Sequence, residues 1–191
     1  MKLYVQRHTR VQVPEGICYG QWDVPLAPSF PQELQAVQER LKDRSFDAVF
    51  SSPLSRCRLL AERLAPRQKI ELDARLKELC AGHWEGLKWE TIQATPQGRD
   101  WFNNYLSAAP PNGESFYMLL RRAESFLQEL RDRFLPTKPH AQLLIVTHAG
   151  MLMGFRHLLA GTPIAGLYDP TLVHGTLLEL NLTAEPSYPI D

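Results

Sequence analysis

The chain has 191 residues, 44% hydrophobic and 22% charged, which supplies apolar material for one well-buried core and does not demand a second domain. Its 21 basic and 21 acidic residues cancel, so no global field draws it to nucleic acid or to an acidic membrane surface, and any anion must be bound locally. Cys18, Cys57 and Cys80 are an odd number without a Cys-x-x-Cys spacing, which argues against a disulfide framework and a zinc ribbon. The N-terminus lacks the apolar run of a signal peptide, and no stretch approaches a membrane span. The expectation is a single cytoplasmic domain over residues 1–191, with no nucleic-acid or membrane partner, as a monomer or homodimer.

Residues 2–6 form a short, largely apolar run that reads as a strand and delivers Arg7 and His8 at its end, where open α/β sheets keep their ligands. Residues 7–28 contain Pro14, Gly16, Gly20, Pro25 and Pro28 with little periodicity, a loop of a length that is uncommon without a task. Ser29 with Gln32 resembles a capping box, and Leu34, Val37 and Leu41 then recur at helical spacing to about residue 43. Residues 47–50 read as a buried strand. Ser52 and Pro53 suit the N-cap and first position of the next helix, which places Arg56 in or near a first turn that favours an anion. Residues 69–72 read as another strand, and residues 76–86, without clear period, as a site loop.

Residues 89–112 suggest one or two short helices and a Pro-rich connection. From 114 to about 135, Phe116, Leu119, Leu120, Ala123, Leu127, Leu130 and Phe134 mark the longest amphipathic helix. Residues 142–147 are nearly all apolar, as a central buried strand should be, and end at His148; residues 149–160 read as a helix stopped by Gly161. Residues 172–182 supply a last strand. Alternating strands and helices imply an α/β fold, a three-layer αβα sandwich around a mostly parallel sheet.

Two arginines and two imidazoles converging at strand ends suit a phosphate dianion. A phosphomonoesterase needs cations on the phosphoryl oxygens, a nucleophile in line with the leaving oxygen, and a proton donor for the departing alkoxide. Arg7 and Arg56 can fork onto the oxygens, where lysine would offer only a point charge. His8 is the candidate nucleophile, because an imidazole nitrogen can form a phosphoramidate and split one displacement into two. Guanidinium charge is expected to hold His8 neutral, while phosphate contact favours a cationic His148. Glu78 and Glu85 are the local choices for the acid. His83, His140, His157 and His174 lack zinc-ligand spacing and read as structural or exposed, so no metal or cofactor is called for. Tyr19, Trp22, Trp84 and Tyr117 either line a substrate mouth or anchor core and loops.

These segments resemble the histidine phosphatase superfamily, also called phosphoglycerate-mutase-like, over nearly the full length. Tyr4-Val5-Gln6-Arg7-His8 is similar to its strand ending in Arg-His, and Gly16 to Leu26 to its Gly-x-x-x-Gly-x-x-Asp-x-Pro-Leu loop. Ser51-Ser52-Pro53-Leu54-Ser55-Arg56 resembles its Ser-Ser-Pro-Leu-x-Arg segment, and Leu76 to Gly86 its Leu-x-Glu and Gly-x-Trp-Glu-Gly stretch. Gly113-Glu114-Ser115 and Val146-Thr147-His148-Ala149-Gly150 complete the order. The resemblance implies a metal-independent phosphatase acting on a small-molecule phosphate ester, with His8 as nucleophile and Glu78, favoured over Glu85 by motif position, as acid and base. Arg7, Arg56, His148 and the Ala149 N–H would hold the phosphoryl group; Arg10, Tyr19 and Gly20 are candidate substrate contacts.

Thr9 and Arg10 depart from the family's Gly and Glu or Gln, and Pro14 stands where an asparagine commonly contacts phosphate. Thr9 is tolerable only if the backbone there avoids positive φ, and Arg10 either replaces the asparagine or faces the far end of the substrate. The Arg-His-Thr-Arg and Ile-Cys-Tyr-Gly-Gln pattern resembles a subgroup assigned as α-ribazole phosphatase, of cobalamin biosynthesis. The alternatives are phosphoglycerate-mutase-type phosphoryl transfer, for which the chain lacks the long insertion of the mutase relatives, and a phosphate-binding module without catalysis.

Overall fold

The computed structural model describes residues 1–164 and 169–184. Five strands form one sheet: β1 (Lys2–Arg7), β2 (Ala48–Ser51), β3 (Ile70–Leu72), β4 (Gln142–Thr147) and β5 (Leu177–Asn181). Their order is β3-β2-β4-β1-β5; the first four run parallel, and β5 pairs antiparallel with β1. Among the described residues six α-helices connect them: α1 (Phe30–Leu41), α2 (Ser55–Leu64), α3 (Trp89–Ala94), α4 (Pro96–Asn104), α5 (Phe116–Phe134) and α6 (Ala149–Ala160).

Strand alternation decides which helices go where. Leu3, Val5, Leu143 and Ile145 face one way and pack with Leu119, Ala123, Phe126 and Leu127 of α5 and Met151, Leu152 and Phe155 of α6. Tyr4, Val49, Leu144 and Val146 face the other way, onto Val37 and Leu41 of α1 and Cys57, Leu60 and Ala61 of α2. Both faces of β1 and β4 are therefore dry, which is why β4 reads as an unbroken apolar run. Each fully buried Leu, Ile or Phe contributes roughly 1.5–3 kcal/mol here, so the two central strands are the rigid part of the frame. A third cluster lies off the sheet: Cys18, Ala81, Trp84, Ile92 and Trp101 bind the 16–22 loop and the 81–86 turn to α3 and α4. No helix among the described residues is long and apolar enough to cross a membrane.

Three local expectations are corrected. Ser29 precedes α1, but its hydroxyl donates to Glu33 Oε1 at 2.6 Å and caps no N–H, so the box is not formed. Helix α2 starts at Ser55 rather than at Pro53, because the Ser52 hydroxyl faces His148 Nε2 at 2.8 Å; Asp23 accepts the Ser55 N–H at 2.8 Å in its place. Strand β5 starts at Leu177, five residues later than expected, because Gly175 turns with φ of +76° and residues 172–176 fold against the end of β1. The stop of α6 at Gly161, φ +64°, is as expected.

Candidate active site

The carboxyl ends of the neighbouring strands β1, β4 and β2 meet at one place. β1 ends in Arg7 with His8 following, and His8 is locked there because its backbone N–H donates to Thr147 O at 2.9 Å while its carbonyl accepts from Gly175 N at 3.0 Å. β4 runs into His148, the N-cap of α6, so Ala149 holds the first helical position, where a backbone N–H has no intrahelical acceptor. β2 leads to Arg56 in the first turn of α2. The rings of His8 and His148 stand edge to face, 5.1 Å between centroids. His8, Arg56 and His148 have no exposed surface.

Local hydrogen bonds set the tautomer of His8. Nδ1 lies 2.7 Å from the Thr9 carbonyl oxygen, which can only accept, so Nδ1 carries the proton and the lone pair sits on Nε2. That Nε2 is buried and has no hydrogen-bond partner among the described residues, and the same holds for Nε of Arg7 and of Arg56. Burial first, then the charges of Arg56 and Arg7, push the His8 pKa well below 6.5. His148 is pushed the same way, by burial and then Arg56. Both rings thus share one dry, cationic environment, and the expectation of a cationic His148 rests on phosphate contact.

The arginines are held before any ligand arrives. Arg56 donates to Trp22 O at 2.9 Å and Gly20 O at 2.7 Å, and stacks on the Tyr19 ring, 5.2 Å from its centroid. Arg7 Nη1 donates to Leu172 O, and Nη2 lies 3.4 Å from His174 Nε2. Gly20 has φ of +36°, and a Cβ there would come within 2.5 Å of Glu85 Oε1, so the carbonyl that receives Arg56 depends on glycine. Thr9 avoids positive φ; among the described non-glycine residues only Asn112 has it. That is why the residue in the family's glycine position is tolerated.

The two carboxylates separate cleanly. Glu78 Oε1 accepts from Gly150 N–H of α6 at 3.0 Å and Leu79 N–H at 2.9 Å, which sets it beside His148 and Ala149. Its segment is pinned by Thr147 Oγ1 donating to Leu76 O at 2.6 Å and by Arg122 donating to Lys77 O and Glu78 O at 2.6 and 3.0 Å. Glu85 instead staples the loop, accepting from Gln21 N–H at 2.8 Å and Ala81 N–H at 3.2 Å. Glu114 pairs with Arg122 and accepts from Cys80 N–H, and Ser115 caps α5, so Gly113-Glu114-Ser115 braces the site from behind.

Beside Glu78 opens a cavity of about 210 Å³, lined by Tyr19, Leu79, Trp89, Trp101, Phe116 and Met153 among others, with Ala149 and Gly150 at its polar end. Among the described residues no Lys, Arg or His lines it. Of the remaining candidates, Arg10 lies outside the buried cluster, its Nε 3.9 Å from Glu33 on an exposed surface. His174, read from sequence as structural or exposed, is instead part of the cluster, its ring 5.3 Å from that of His8. No local spacing marks it, because the antiparallel return into β5 alone brings it there.

A family model described as the histidine phosphatase superfamily, branch 1, matches residues 3–186. The adenosylcobalamin/alpha-ribazole phosphatase of Escherichia coli (strain K12) is 26% identical over 176 residues, 88% of this chain and 83% of that one. Phosphoserine phosphatase 1 of Hydrogenobacter thermophilus is 28% identical over 138 residues, 70% of this chain and 65% of that one. Among solved structures, Bacillus stearothermophilus YhfR has a TM-score of 0.80 at 25% identity, covering 99% of this chain and 98% of its own.

Proposed function

The chain belongs to the histidine phosphatase superfamily, and on that footing we propose that it is a phosphomonoesterase working through a phosphorylated His8, carried by one domain and calling on no metal. The observation that carries this reading is the buried lone pair on His8 Nε2, fixed by the Thr9 carbonyl and flanked by two guanidiniums. Nε2 attacks phosphorus in line with the ester oxygen; the P–O bond breaks, and Glu78 gives its proton to the leaving alkoxide. A water then attacks phospho-His8, Glu78 takes the proton of that water, and the P–N bond breaks to release phosphate and restore the ring. Arg7, Arg56, His148 and the Ala149 N–H stabilise the equatorial oxygens, so most of the acceleration comes from positioning and charge.

The cavity supports a choice of alcohol. A pocket walled by Trp89, Trp101, Phe116 and Tyr19, without a cation, suits a flat, neutral, aromatic group and offers nothing to the carboxylate of phosphoserine or of a phosphoglycerate. Among named esters α-ribazole 5′-phosphate has that shape. Turnover of α-ribazole 5′-phosphate, phosphoserine and 3-phosphoglycerate tests the reading, with His8→Ala as the blank. The expected kcat/KM is highest for the aromatic ester, with loss on the order of 10⁴-fold or more in His8→Ala. Equal activity of His8→Ala refutes the mechanism, and a preference for phosphoserine, or isomerisation of the phosphoglycerate, refutes the substrate.

A further inference from the structure

His174, half-buried, sits on the turn that leads into β5 and brings a third imidazole against the buried His8. Its place is imposed by the backbone on either side: Gly175 N–H donates to His8 O at 3.0 Å, and Arg7 N–H donates to Thr176 O at 2.8 Å. The ring meets His8 edge to face at 5.3 Å and 60°, on β1's side of the site. Its Nε2 lies 3.4 Å from Arg7 Nη2 and 3.4 Å from Tyr19 Oη. A guanidinium can only donate, so Nε2 presents its lone pair to Arg7.

Arg7 and Arg56 are thus anchored by parallel means with one difference. Both terminal nitrogens of Arg56 are held by main-chain carbonyls, Trp22 O and Gly20 O. Arg7 has one carbonyl, Leu172 O, and for its other terminal nitrogen a side chain, His174. Arg10, the one residue offered in place of the asparagine that Pro14 replaces, is turned to Glu33 instead.

We propose that His174 is a positioning residue of the phosphoryl site, its Nε2 accepting from Arg7 so that the guanidinium stands beside His8 with its remaining N–H donors, Nε–H among them, free for phosphoryl oxygens. The proposal rests on the phosphoryl reading of the site. At 3.4 Å the contact is long and can lengthen further as phosphoryl oxygens take up N–H bonds. The Tyr19 hydroxyl, sharing the same lone pair, links this anchor to the wall of the alcohol pocket.

Three variants separate an acceptor from a space-filler. His174→Phe keeps a flat ring against His8 and removes the acceptor; His174→Gln keeps an acceptor without an imidazole; His174→Ala removes both. Inorganic phosphate affinity, measured by calorimetry, needs no turnover and so stands apart from the catalytic reading, while p-nitrophenyl phosphate hydrolysis reports kcat and KM. The expected result is phosphate affinity and kcat/KM reduced about 10- to 100-fold in His174→Phe and His174→Ala, the scale of one hydrogen bond to a charged group, with substantial recovery in His174→Gln. Thermal midpoints of the Phe and Gln variants are expected to match. Wild-type affinity in His174→Phe, or equal losses in His174→Phe and His174→Gln, overturns the proposal. Phosphate binding without turnover in the wild type, lost in His174→Phe, sinks the phosphatase reading and leaves the positioning role standing. Failure of the wild type to bind phosphate overturns both.

Discussion

The floor of the site and its wall are built by different rules. The floor, His8, Arg56 and His148 with Arg7, is polar, buried, and held by backbone hydrogen bonds between strand ends far apart in sequence. The wall, Trp89, Trp101, Phe116 and Leu79, is apolar and held by ring packing, as in the 5.9 Å stack of Trp89 on Trp101. Burying unpaired cations and imidazoles costs several kcal/mol unless something compensates, so the floor needs the two-sided core of β1 and β4 behind it. The wall stabilises the fold through the area it buries. On the proposed reading, the strand ends supply the nucleophile and the phosphoryl contacts, and the aromatic wall selects the alcohol.

Removing the proposed acid, Glu78, where the floor meets the wall, should cost most. Glu78→Gln keeps the acceptor for Gly150 N–H and removes the transferable proton, and kcat is expected to fall about 10²- to 10⁴-fold with little change in KM. Glu85→Gln is the control: its loop contacts are partly kept, so a loss of less than about tenfold is expected, and a larger loss there than at Glu78 would reverse the assignment.

Breaking the wall should be milder and selective. Trp89→Ala is expected to raise KM for an aromatic ester by about 10-fold, the scale of 1–3 kcal/mol for lost apolar contact in a pocket. KM for phosphoserine should hardly move. Equal effects on both esters would place the aromatic group elsewhere.

A last prediction tests the floor from the side of stability. Burial first, then neighbouring guanidiniums, hold His8 and His148 well below 6.5 and His174 at about 4. The unfolded chain takes up these protons near pH 6.5 and the folded one only at lower pH, so the unfolded state binds more protons in between. Stability is therefore full above about pH 7 and declines as pH falls from 6.5 towards 4, by at most about 1.4 kcal/mol per pH unit for each ring. Urea midpoints at pH 7 and pH 5 measure this, and His174→Gln should flatten the slope. Identical midpoints at the two pH values would mean that the rings are not held neutral.

The elements that carry Arg7, His8, Arg56 and His148 were legible because each lies within a few residues of the punctuation that ends a strand and starts a helix. Glu78 was favoured over Glu85 on motif position alone, since the sequence does not say which N–H groups surround each carboxylate. The cap of α2 was misplaced because Asp23, from the 16–26 loop, does what Ser52 was expected to do. His174 was read as structural or exposed, because nothing in its local sequence points to its contacts with Arg7 and His8.

Hydrophobic period and turn chemistry act over a few residues, and by themselves they determined the α/β class, the central strands, the long helix α5 and the residues at strand ends. Which imidazole faces which, where the proton sits on His8, and which carboxylate reaches α6 depend on contacts between segments up to 167 positions apart. Those contacts form only once β4 and β5 have closed on the two sides of β1, because side chains without a local repeat are placed by the strands that carry them.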